Sequence, residues 1–259
     1  MNVHKHILMF DVDDTVCEST KPISEAVARV LNSLREKNFL LVFTSGSKID
    51  QVYHQLHPIL KGKYWIMGAS GSSCESVDSG GRKLIFSEEM PQEDRTKILN
   101  LLSEVVEKFN IQTMTTKEDQ IQDRISQITL SCIGRGAPSD IKSSFDADRS
   151  KRKVWVDYIK ERLGGEYNIN IGGTTSIDIT LKGVDKSTGA KKWLECMNFD
   201  KRDIMFFGDQ LEDGGNDSVM KDLVDCIQVG NPMDTLNILE YMDMLFYRRE
   251  HEGGSNLEV

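Results

Sequence analysis

Residues 6–15 read HILMFDVDDT, an apolar run of strand length that leads directly into an acidic turn. The pattern predicts a buried strand over His6–Phe10, and the carboxylates of Asp11 and Asp13 follow it at once. Open α/β sheets bind their ligands outside the carboxyl ends of parallel strands. The order of strand and carboxylates therefore predicts that these two side chains lie at the ligand-binding edge of such a sheet.

The segments that follow alternate between helical and strand patterns. Apolar residues recur at helical spacing from about residue 22 to 37, and residues 39–43 are an apolar run of strand length. A helical pattern over 49–60 and a strand pattern over 64–67 continue the alternation. Strands that alternate with helices are typical of a parallel, doubly wound sheet, so we predict a Rossmann-like α/β core.

The middle of the chain changes character. Arg124–Cys132 alternates with a period of two, which predicts a half-exposed strand of the kind found in antiparallel sheets. The neighbouring patterns predict two helices and a pair of strands, at about 92–109, 149–163, 167–171 and 176–181. We therefore predict that residues 87–182 form an inserted α+β unit, called the cap below.

After Gly183 the first pattern returns. A helix over 187–197, a buried strand over 203–207 and a strand near 226–229 are predicted, with an acidic loop from Gly208 to Asp217 between the two strands. The predicted core is therefore discontinuous and consists of residues 1–86 and 183–259.

The composition excludes several classes of partner. Of the 259 residues, 39% are hydrophobic and 28% charged, as in globular proteins, and the net charge of −9 without a dense basic run disfavours nucleic-acid binding. The five cysteines are widely spaced, which favours a reducing compartment over a disulfide framework or a zinc site. No apolar stretch approaches the ~20 residues of a membrane helix. We therefore expect a cytoplasmic protein with no membrane partner.

The residue types at the first strand end suit phosphoryl transfer. Asp11 can attack phosphorus to form an aspartyl-phosphate, and Asp13 can protonate the leaving oxygen and later deprotonate the incoming one. Asp11, the backbone carbonyl of Asp13 and the loop 208–217 offer the oxygen ligands that Mg²⁺ prefers. A solvated acidic turn would explain Asp11 and Asp13 taken alone. Three further features follow in order, however: Ser45 at a strand end, Lys186 before a helix and Asp209 after a strand.

In these four features the chain resembles the haloacid dehalogenase superfamily, and within it the group with an inserted α+β cap. Closer still, several motifs resemble the eukaryotic-type phosphomannomutases. These motifs are Ile133-Gly134-Arg135, Ile171-Gly172-Gly173, Ser176-Ile177-Asp178, Gly183-Val184-Asp185-Lys186 and Gly214-Gly215-Asn216-Asp217. The last is the most discriminating, because more distant relatives have a shorter acidic loop.

The resemblance implies roles for particular residues. Ser45 would hydrogen-bond the transferring phosphoryl group, Lys186 would pair with Asp11, and Asp209 and Asp217 would complete the Mg²⁺ site. Guanidinium and ammonium groups suit phosphate, and Ser and Asp suit sugar hydroxyls. The implied sugar-phosphate residues of the cap are Arg124, Arg135, Lys142, Ser176 and Asp178.

The resemblance also implies a reaction. We expect a hexose phosphomutase that interconverts mannose 6-phosphate and mannose 1-phosphate through phospho-Asp11, with hexose 1,6-bisphosphate as activator. The resemblance further implies a homodimer formed through the cap. A sugar-phosphate phosphatase, in which water attacks phospho-Asp11, stays open as the alternative, and a non-catalytic sugar-phosphate sensor is a third. The departures that keep hydrolysis open are Thr20 and Lys142, where the family has arginine, and Asp14, where the mutases have glycine.

Overall fold

The computed structural model describes residues 5–57 and 59–252, and its strands form a seven-stranded and a four-stranded sheet, called the large sheet and the small sheet below. The strands are, in chain order, β1 (Ile7–Asp11), β2 (Leu40–Thr44), β3 (Tyr64–Gly68), β4 (Ser73–Asp78), β5 (Gly81–Ser87), β6 (Ile121–Asp123), β7 (Gln127–Ser131), β8 (Tyr167–Gly172), β9 (Ser176–Leu181), β10 (Ile204–Gly208) and β11 (Asp225–Gln228).

The helices occupy the intervals between these strands. They are α1 (Glu25–Glu36), α2 (Ile49–Leu56), α3 (Gln92–Lys108), α4 (Lys117–Gln120), α5 (Ser139–Phe145), α6 (Ser150–Leu163), α7 (Lys186–Met197) and α8 (Pro232–Glu252). Side-chain caps fix where α1 and α7 begin. Ser24 Oγ accepts a hydrogen bond from the backbone N–H of Val27, and Asp185 and Thr188 form a capping box at α7.

The large sheet has the strand order β11-β10-β1-β2-β3-β4-β5, and the strands from β11 to β3 are parallel. Leu8 and Phe10 of β1 pack with α1, α2 and α8 on one face, and Ile7 and Met9 pack with α7 on the other. Because helices cover both faces, the predicted doubly wound α/β class is confirmed. The antiparallel hairpin of β4 and β5, which we did not predict, extends one edge.

The parallel register brings the carboxyl ends of three strands to one edge of the large sheet. Asp11 pairs with Thr44 of β2, and β1 pairs with β10 as far as Phe207. Ser45 follows β2, and Asp209 follows β10. Side chains from three distant parts of the chain therefore meet at the edge of the sheet where β1 ends in Asp11.

The small sheet is antiparallel, with the order β6-β7-β9-β8, and it packs with α3 and α6 around its own hydrophobic core. The prediction of a half-exposed strand over Arg124–Cys132 was wrong, because the strand begins at Gln127 and all five of its residues are buried. Ile128 and Leu130 face the core, and Thr129 lies against a neighbouring carboxylate. The division at residues 86/87 and 182/183 stays a prediction.

The structure also differs from the sequence-based expectation at two helices. We extended α2 to residue 60, but it ends at Leu56, because His57 precedes Pro58 and adopts an extended ψ of 142°. We did not predict α8, which packs against α1 through Leu236 and Leu239. Within the described residues, the helices lack the length and apolar character needed to span a membrane.

The turn between β6 and β7 contains a strained residue. Ile125 has a φ of +71°, a left-handed conformation that β-branched residues rarely adopt, and its side chain is 44% exposed. Its N–H donates to Asp123 Oδ1 at 2.8 Å, which holds the turn in this geometry.

Replacing Ile125 by asparagine should raise the free energy of unfolding by about 1 kcal/mol, because asparagine tolerates the left-handed region. Urea unfolding followed by circular dichroism would measure the gain. Ile125→Val is the matched control, since valine keeps the β-branched strain and should give no gain. An equal gain from both substitutions would show that strain at this turn is not the cause.

Candidate active site

Three carboxylates meet at the carboxyl edge of the large sheet. Asp11 ends β1, and Asp209 and Asp217 belong to the loop that follows β10. One carboxylate oxygen from each residue lies within 4.8 Å of the others. Asp11 and Asp217 are almost completely buried, so the cluster holds negative charge away from solvent.

A single lysine joins two of these carboxylates. Lys186 Nζ donates to Asp11 Oδ1 at 2.5 Å and to Asp217 Oδ1 at 2.6 Å. Burial opposes the charge on Lys186, but the two carboxylates outweigh it and raise its pKa. Burial also raises the pKa of Asp11 against the attraction of Lys186, and Asp217 and Asp209 add to that rise. The cluster therefore carries more negative charge than one ammonium group can balance.

The start of α7 places Lys186 in the cluster. Asp185 caps the helix, so Lys186 is its first residue. A cation is unfavourable at a helix N-terminus, and the two carboxylates offset that cost. Gly189, one turn later, lies so close to the turn at Gly71 that a Cβ atom would come within 2.5 Å of the Gly71 Cα. A larger side chain at Gly189 would push the start of α7 away from the sheet edge.

The loop after β10 folds back over the strand end. Gln210 N–H donates to Asp217 Oδ2 at 3.2 Å, and a Cβ atom on Gly208 would lie 2.6 Å from the same oxygen. Thr15 Oγ1 donates to Asp209 Oδ1 at 3.4 Å. Burial and the nearby Asp217 carboxylate raise the pKa of Asp209 to about 6.

The residues of this cluster fit a divalent cation. Three carboxylates and one ammonium group leave two net negative charges, which Mg²⁺ would neutralise. Gln210 Oε1 and Asn216 Oδ1 are buried oxygens without a hydrogen-bond donor among the described residues. Both residues line the adjacent cavity, where oxygen ligands or ordered water would satisfy them. Asp213 is fully exposed and pairs with Lys221 at 3.2 Å, so it lies outside the cluster.

The carboxylate of Asp13 is oriented by hydrogen bonds and is separate from the three-carboxylate cluster. Asp13 Oδ1 accepts from Gln55 Nε2 at 3.0 Å and from the Thr20 N–H at 2.7 Å. This leaves its second oxygen for proton transfer. Gln55 is a residue that the sequence analysis missed, because nothing in the pattern of α2 shows which of its polar side chains turns inward.

Ser45 presents a hydroxyl donor beside the cluster. Its Oγ accepts from the Ser47 N–H at 2.9 Å, so the hydroxyl hydrogen is available for another group. The Ser45 N–H donates to the carbonyl of Met67 at 3.0 Å, which anchors the strand end. The side chain lines the cavity next to Asp11.

One cavity between the two sheets collects most of the predicted site. Asp11, Asp13 and Ser45 line it from the large sheet. The predicted sugar-phosphate residues line it from the other side; these are Arg124, Arg135, Lys142, Ser176 and Asp178. Lys186, Asp209 and Asp217 do not line this cavity. They lie behind Asp11, and Lys186 contacts it directly. Thr20 lines the cavity as well, whereas Lys21 is exposed and does not.

The cations of the cavity lack carboxylate partners. Arg135 and Lys142 form no ion pair with any carboxylate in the described part of the chain, although Lys142 Nζ donates to the Arg135 carbonyl at 3.3 Å. Burial lowers the pKa of Arg124 and of Arg135, against the attraction of nearby carboxylates. Buried cations without counter-ions attract an anion, and their guanidinium groups match the geometry of phosphate.

Hydrogen bonds orient Asp178 and Ser176, the two predicted hydroxyl-binding residues of the cavity. Asp178 Oδ1 accepts from Thr129 Oγ1 at 2.7 Å and from Gln127 Nε2 at 3.0 Å. Ser176 Oγ donates to the carbonyl of Gly172 at 2.8 Å. The sequence analysis missed Gln127 and Thr129, although polar side chains at alternate positions of a strand could have indicated a functional face.

A buried ion pair supports the loop that carries Ser176. Arg152 Nε pairs with Asp146 Oδ2 at 2.8 Å, and Arg152 also donates to the carbonyls of Gly172 and Gly173 at 2.9 and 3.0 Å. Both charged side chains are nearly inaccessible to solvent. This pair, which we did not predict, fixes the turn from β8 to β9 at the cavity.

The comparisons with known proteins concern the family and the fold. The family of haloacid dehalogenase-like hydrolases matches residues 8–220. Curated relatives include the phosphomannomutase of Encephalitozoon cuniculi, 29% identical over 89% of this chain and 91% of its own length. Another is that of Saccharomyces cerevisiae, 28% identical over 90% and 92%.

Solved structures show the same fold. The IMP-nucleotidase of Plasmodium falciparum, with bound IMP, superposes with a TM-score of 0.66 at 16% identity, over 93% of this chain and 68% of its own. A protein of Streptococcus mutans superposes with a TM-score of 0.65 at 16% identity, over 92% and 98%. At these identities the likeness concerns the fold alone.

Asp209→Asn should stabilise the metal-free protein near neutral pH by ~1–3 kcal/mol, because the raised pKa of Asp209 makes its charge costly in the folded state. The carboxylate is protonated in both states below its unfolded pKa of about 4. The gain should therefore be complete above pH 6, shrink below it and vanish near pH 4. Urea unfolding in EDTA at several pH values would measure it.

Asp213→Asn is the matched control, because this carboxylate of the same loop is exposed and paired with Lys221. It should change stability little at any pH. Added Mg²⁺ should stabilise the wild type and the Asp213 variant but not Asp209→Asn. An equal response of all three proteins to Mg²⁺ would contradict a cation site at Asp209.

Proposed function

The chain belongs to the haloacid dehalogenase-like hydrolase family, and on that premise we propose that it is a phosphomannomutase-like hexose phosphomutase. The proposed substrates are mannose 6-phosphate and mannose 1-phosphate, with hexose 1,6-bisphosphate as intermediate and activator. Relatives named phosphomannomutase at 24–29% identity over most of the chain support this proposal.

The observation that carries the proposal is that one cavity holds both a carboxylate nucleophile and a separate group of cations. Asp11 and Ser45 line it on one side, and Arg135 and Lys142, which form no ion pair with a described carboxylate, line it on the other. A phosphomutase must hold one phosphate at the nucleophile and a second at the far end of the same sugar. The arrangement suits a sugar bisphosphate better than a substrate with a single phosphate.

In the first half-reaction, a carboxylate oxygen of Asp11 attacks the phosphorus of the bisphosphate. The bond between phosphorus and the sugar oxygen breaks, and Asp13 gives its proton to that oxygen. Ser45 donates its free hydroxyl hydrogen to a phosphoryl oxygen, and Lys186 keeps Asp11 in line for attack. The products are phospho-Asp11 and a hexose monophosphate.

In the second half-reaction, a hexose monophosphate that carries its phosphate at the opposite position attacks the phosphorus of phospho-Asp11 with its free hydroxyl, which forms the bisphosphate. Asp13, now a carboxylate oriented by Gln55, removes the hydroxyl proton as the new bond forms. Asp11 leaves as a free carboxylate. Mg²⁺ held by Asp11, Asp209 and Asp217 would neutralise the phosphoryl oxygens. The sugar exchanges its two phosphates between the carboxylate site and the cation site of the cavity.

We propose residues 87–182 as the cap that supplies sugar recognition. Arg124, Arg135 and Lys142 would hold the distal phosphate, and Ser176 and Asp178 would bind hydroxyl groups. A closed cap would also exclude water from phospho-Asp11. A homodimer formed through the cap and a cytoplasmic location stay predictions.

One observation favours hydrolysis as a second candidate function. Thr20 lines the cavity where the resemblance implies arginine, and the neighbouring Lys21 is exposed away from it. The cavity thus has one cation fewer for the distal phosphate. A weaker hold on the hexose monophosphate would release it from the phosphoenzyme before its hydroxyl attacks, and water would then hydrolyse phospho-Asp11.

Phosphorus NMR would separate the two candidate functions. The protein with Mg²⁺, mannose 1-phosphate and a catalytic amount of hexose 1,6-bisphosphate should produce mannose 6-phosphate with little inorganic phosphate. Asp11→Asn should lose both reactions by more than about 10³-fold, because the amide is a poor nucleophile. Inorganic phosphate as the main product would establish the phosphatase, and turnover by Asp11→Asn would remove Asp11 as nucleophile.

Arg135→Ala should raise the KM for the hexose phosphate by about 10–100-fold, the usual cost of a lost charged hydrogen bond. Acetyl phosphate has no distal phosphate, so its reaction with Asp11 should change little. Steady-state kinetics with both substrates would measure the difference. Arg162→Ala, an exposed arginine of α6 outside the cavity, is the control; an equal loss on both substrates would contradict a role in distal-phosphate binding.

A further inference from the structure

Gln127 forms hydrogen bonds to both sides of the cavity. Its side chain is inaccessible to solvent. The amide Nε2 lies 3.0 Å from the Gly46 carbonyl, 3.0 Å from Asp178 Oδ1 and 2.9 Å from Thr129 Oγ1. Its Oε1 accepts from Ser70 Oγ at 2.7 Å. One amide therefore uses its donors and its acceptor on four partners.

The four partners come from different parts of the fold. Gly46 and Ser70 lie in the loops after β2 and β3 of the large sheet, and Gly46 follows Ser45 directly. Thr129 and Asp178 lie on β7 and β9 of the small sheet. The hydrogen bonds of Gln127 thus tie the phosphoryl-binding loop to the carboxylate that faces the sugar.

We infer that Gln127 is a positioning residue that makes closure of the cap and orientation of Asp178 a single event. This inference rests on the proposed function, because it assigns a consequence to closure over phospho-Asp11. When the cap lifts, Gln127 loses Gly46 and Ser70 together. Asp178 then loses the constraint that the large sheet imposes on it through this amide.

Arg124 and Gln127 both bind the Gly46 carbonyl, but only Arg124 faces the cavity. Arg124 would turn to a bound phosphate. Gln127 is fully buried and is not among the cavity-lining residues, so its amide does not itself face a bound phosphate. Gln127 therefore keeps the two sheets joined at Gly46 while Arg124 changes partner.

The consequence concerns the fate of the phosphoenzyme. Water exclusion depends on a cap that stays seated while the sugar is held. Asp178, which would bind the sugar, and the loop next to Ser45 are both hydrogen-bonded to the amide of Gln127. A correctly bound sugar therefore favours the closed state of the cap. Phosphoryl transfer to the sugar is then faster than transfer to water.

Gln127→Met keeps the length of the side chain and removes its four hydrogen bonds. It should raise the fraction of phosphoryl groups released as inorganic phosphate, and the KM for mannose 1-phosphate, each by about 10-fold. The rate of phospho-Asp11 formation from acetyl phosphate should stay within about 2-fold of the wild type. Thr129→Val is the matched control: it removes the bonds of Thr129 to Asp178 and to Gln127, both within the small sheet, and leaves the bonds of Gln127 to Gly46 and Ser70. It should raise KM without raising phosphate release.

Amide hydrogen exchange without substrate gives a second readout, independent of turnover. The segment 45–72 should exchange faster in Gln127→Met and in Ser70→Ala, which removes only the large-sheet donor, but not in Thr129→Val. Ser70→Ala also serves if Gln127→Met does not fold. Unchanged exchange and an unchanged product ratio in the folded variants would overturn the inference. A wild type that releases only inorganic phosphate would instead refute the mutase, and the exchange pattern alone would then decide the role of Gln127.

Discussion

One ammonium group holds three distant parts of the chain together. Lys186 Nζ lies within 2.6 Å of carboxylate oxygens of both Asp11 and Asp217, and all three side chains are buried. Removal of one partner from such a buried pair typically costs about 3–5 kcal/mol. The close approach needs glycines at Gly189 and Gly208, because a Cβ atom at either would meet a neighbour within 2.6 Å. The helix start, the strand end and the acidic loop are therefore constrained as one unit.

This constraint also sets the chemistry of the cavity. The buried carboxylates leave an excess of negative charge beneath the nucleophile, which suits a divalent cation and repels a bare phosphate. Across the cavity, Arg135 and Lys142 are cations that form no ion pair with a carboxylate in residues 5–57 and 59–252. A phosphorylated sugar satisfies both sides at once. The same polarity explains why a net charge of −9 is compatible with an anionic substrate: the positive charge is local.

The parts that the sequence predicted are those whose position follows from local order along the chain. Asp11 ends an apolar strand, and Lys186 follows the capping residue that begins α7, the helix that leads into the neighbouring parallel strand β10. Both positions follow from the order of elements along the chain. Gln55 was not predictable, because its role depends on which tertiary neighbours face it; for Gln127 the alternation of the strand could have indicated a polar face, but not the partners in the large sheet. The burial of β7 was missed for the same reason: its polar face is covered by the other sheet, and an alternating pattern cannot distinguish that cover from solvent.

The departures from the family pattern are coupled in the structure. Asp14 occupies a position where φ is +62°, which explains why glycine is usual there and why aspartate is tolerated. Burial raises the pKa of Asp14, and Lys142, the other departure, opposes that rise from across the cavity. Asp14 in turn adds to the raised pKa of Asp209. The Ser19 N–H, which donates to Asp14 Oδ1 at 3.1 Å, opposes the rise in the pKa of Asp14 more than Lys142 does. The ammonium of Lys142 acts as a point charge and not as a fork. Asp14 therefore lies between the three-carboxylate cluster and Lys142, and its charge acts on both.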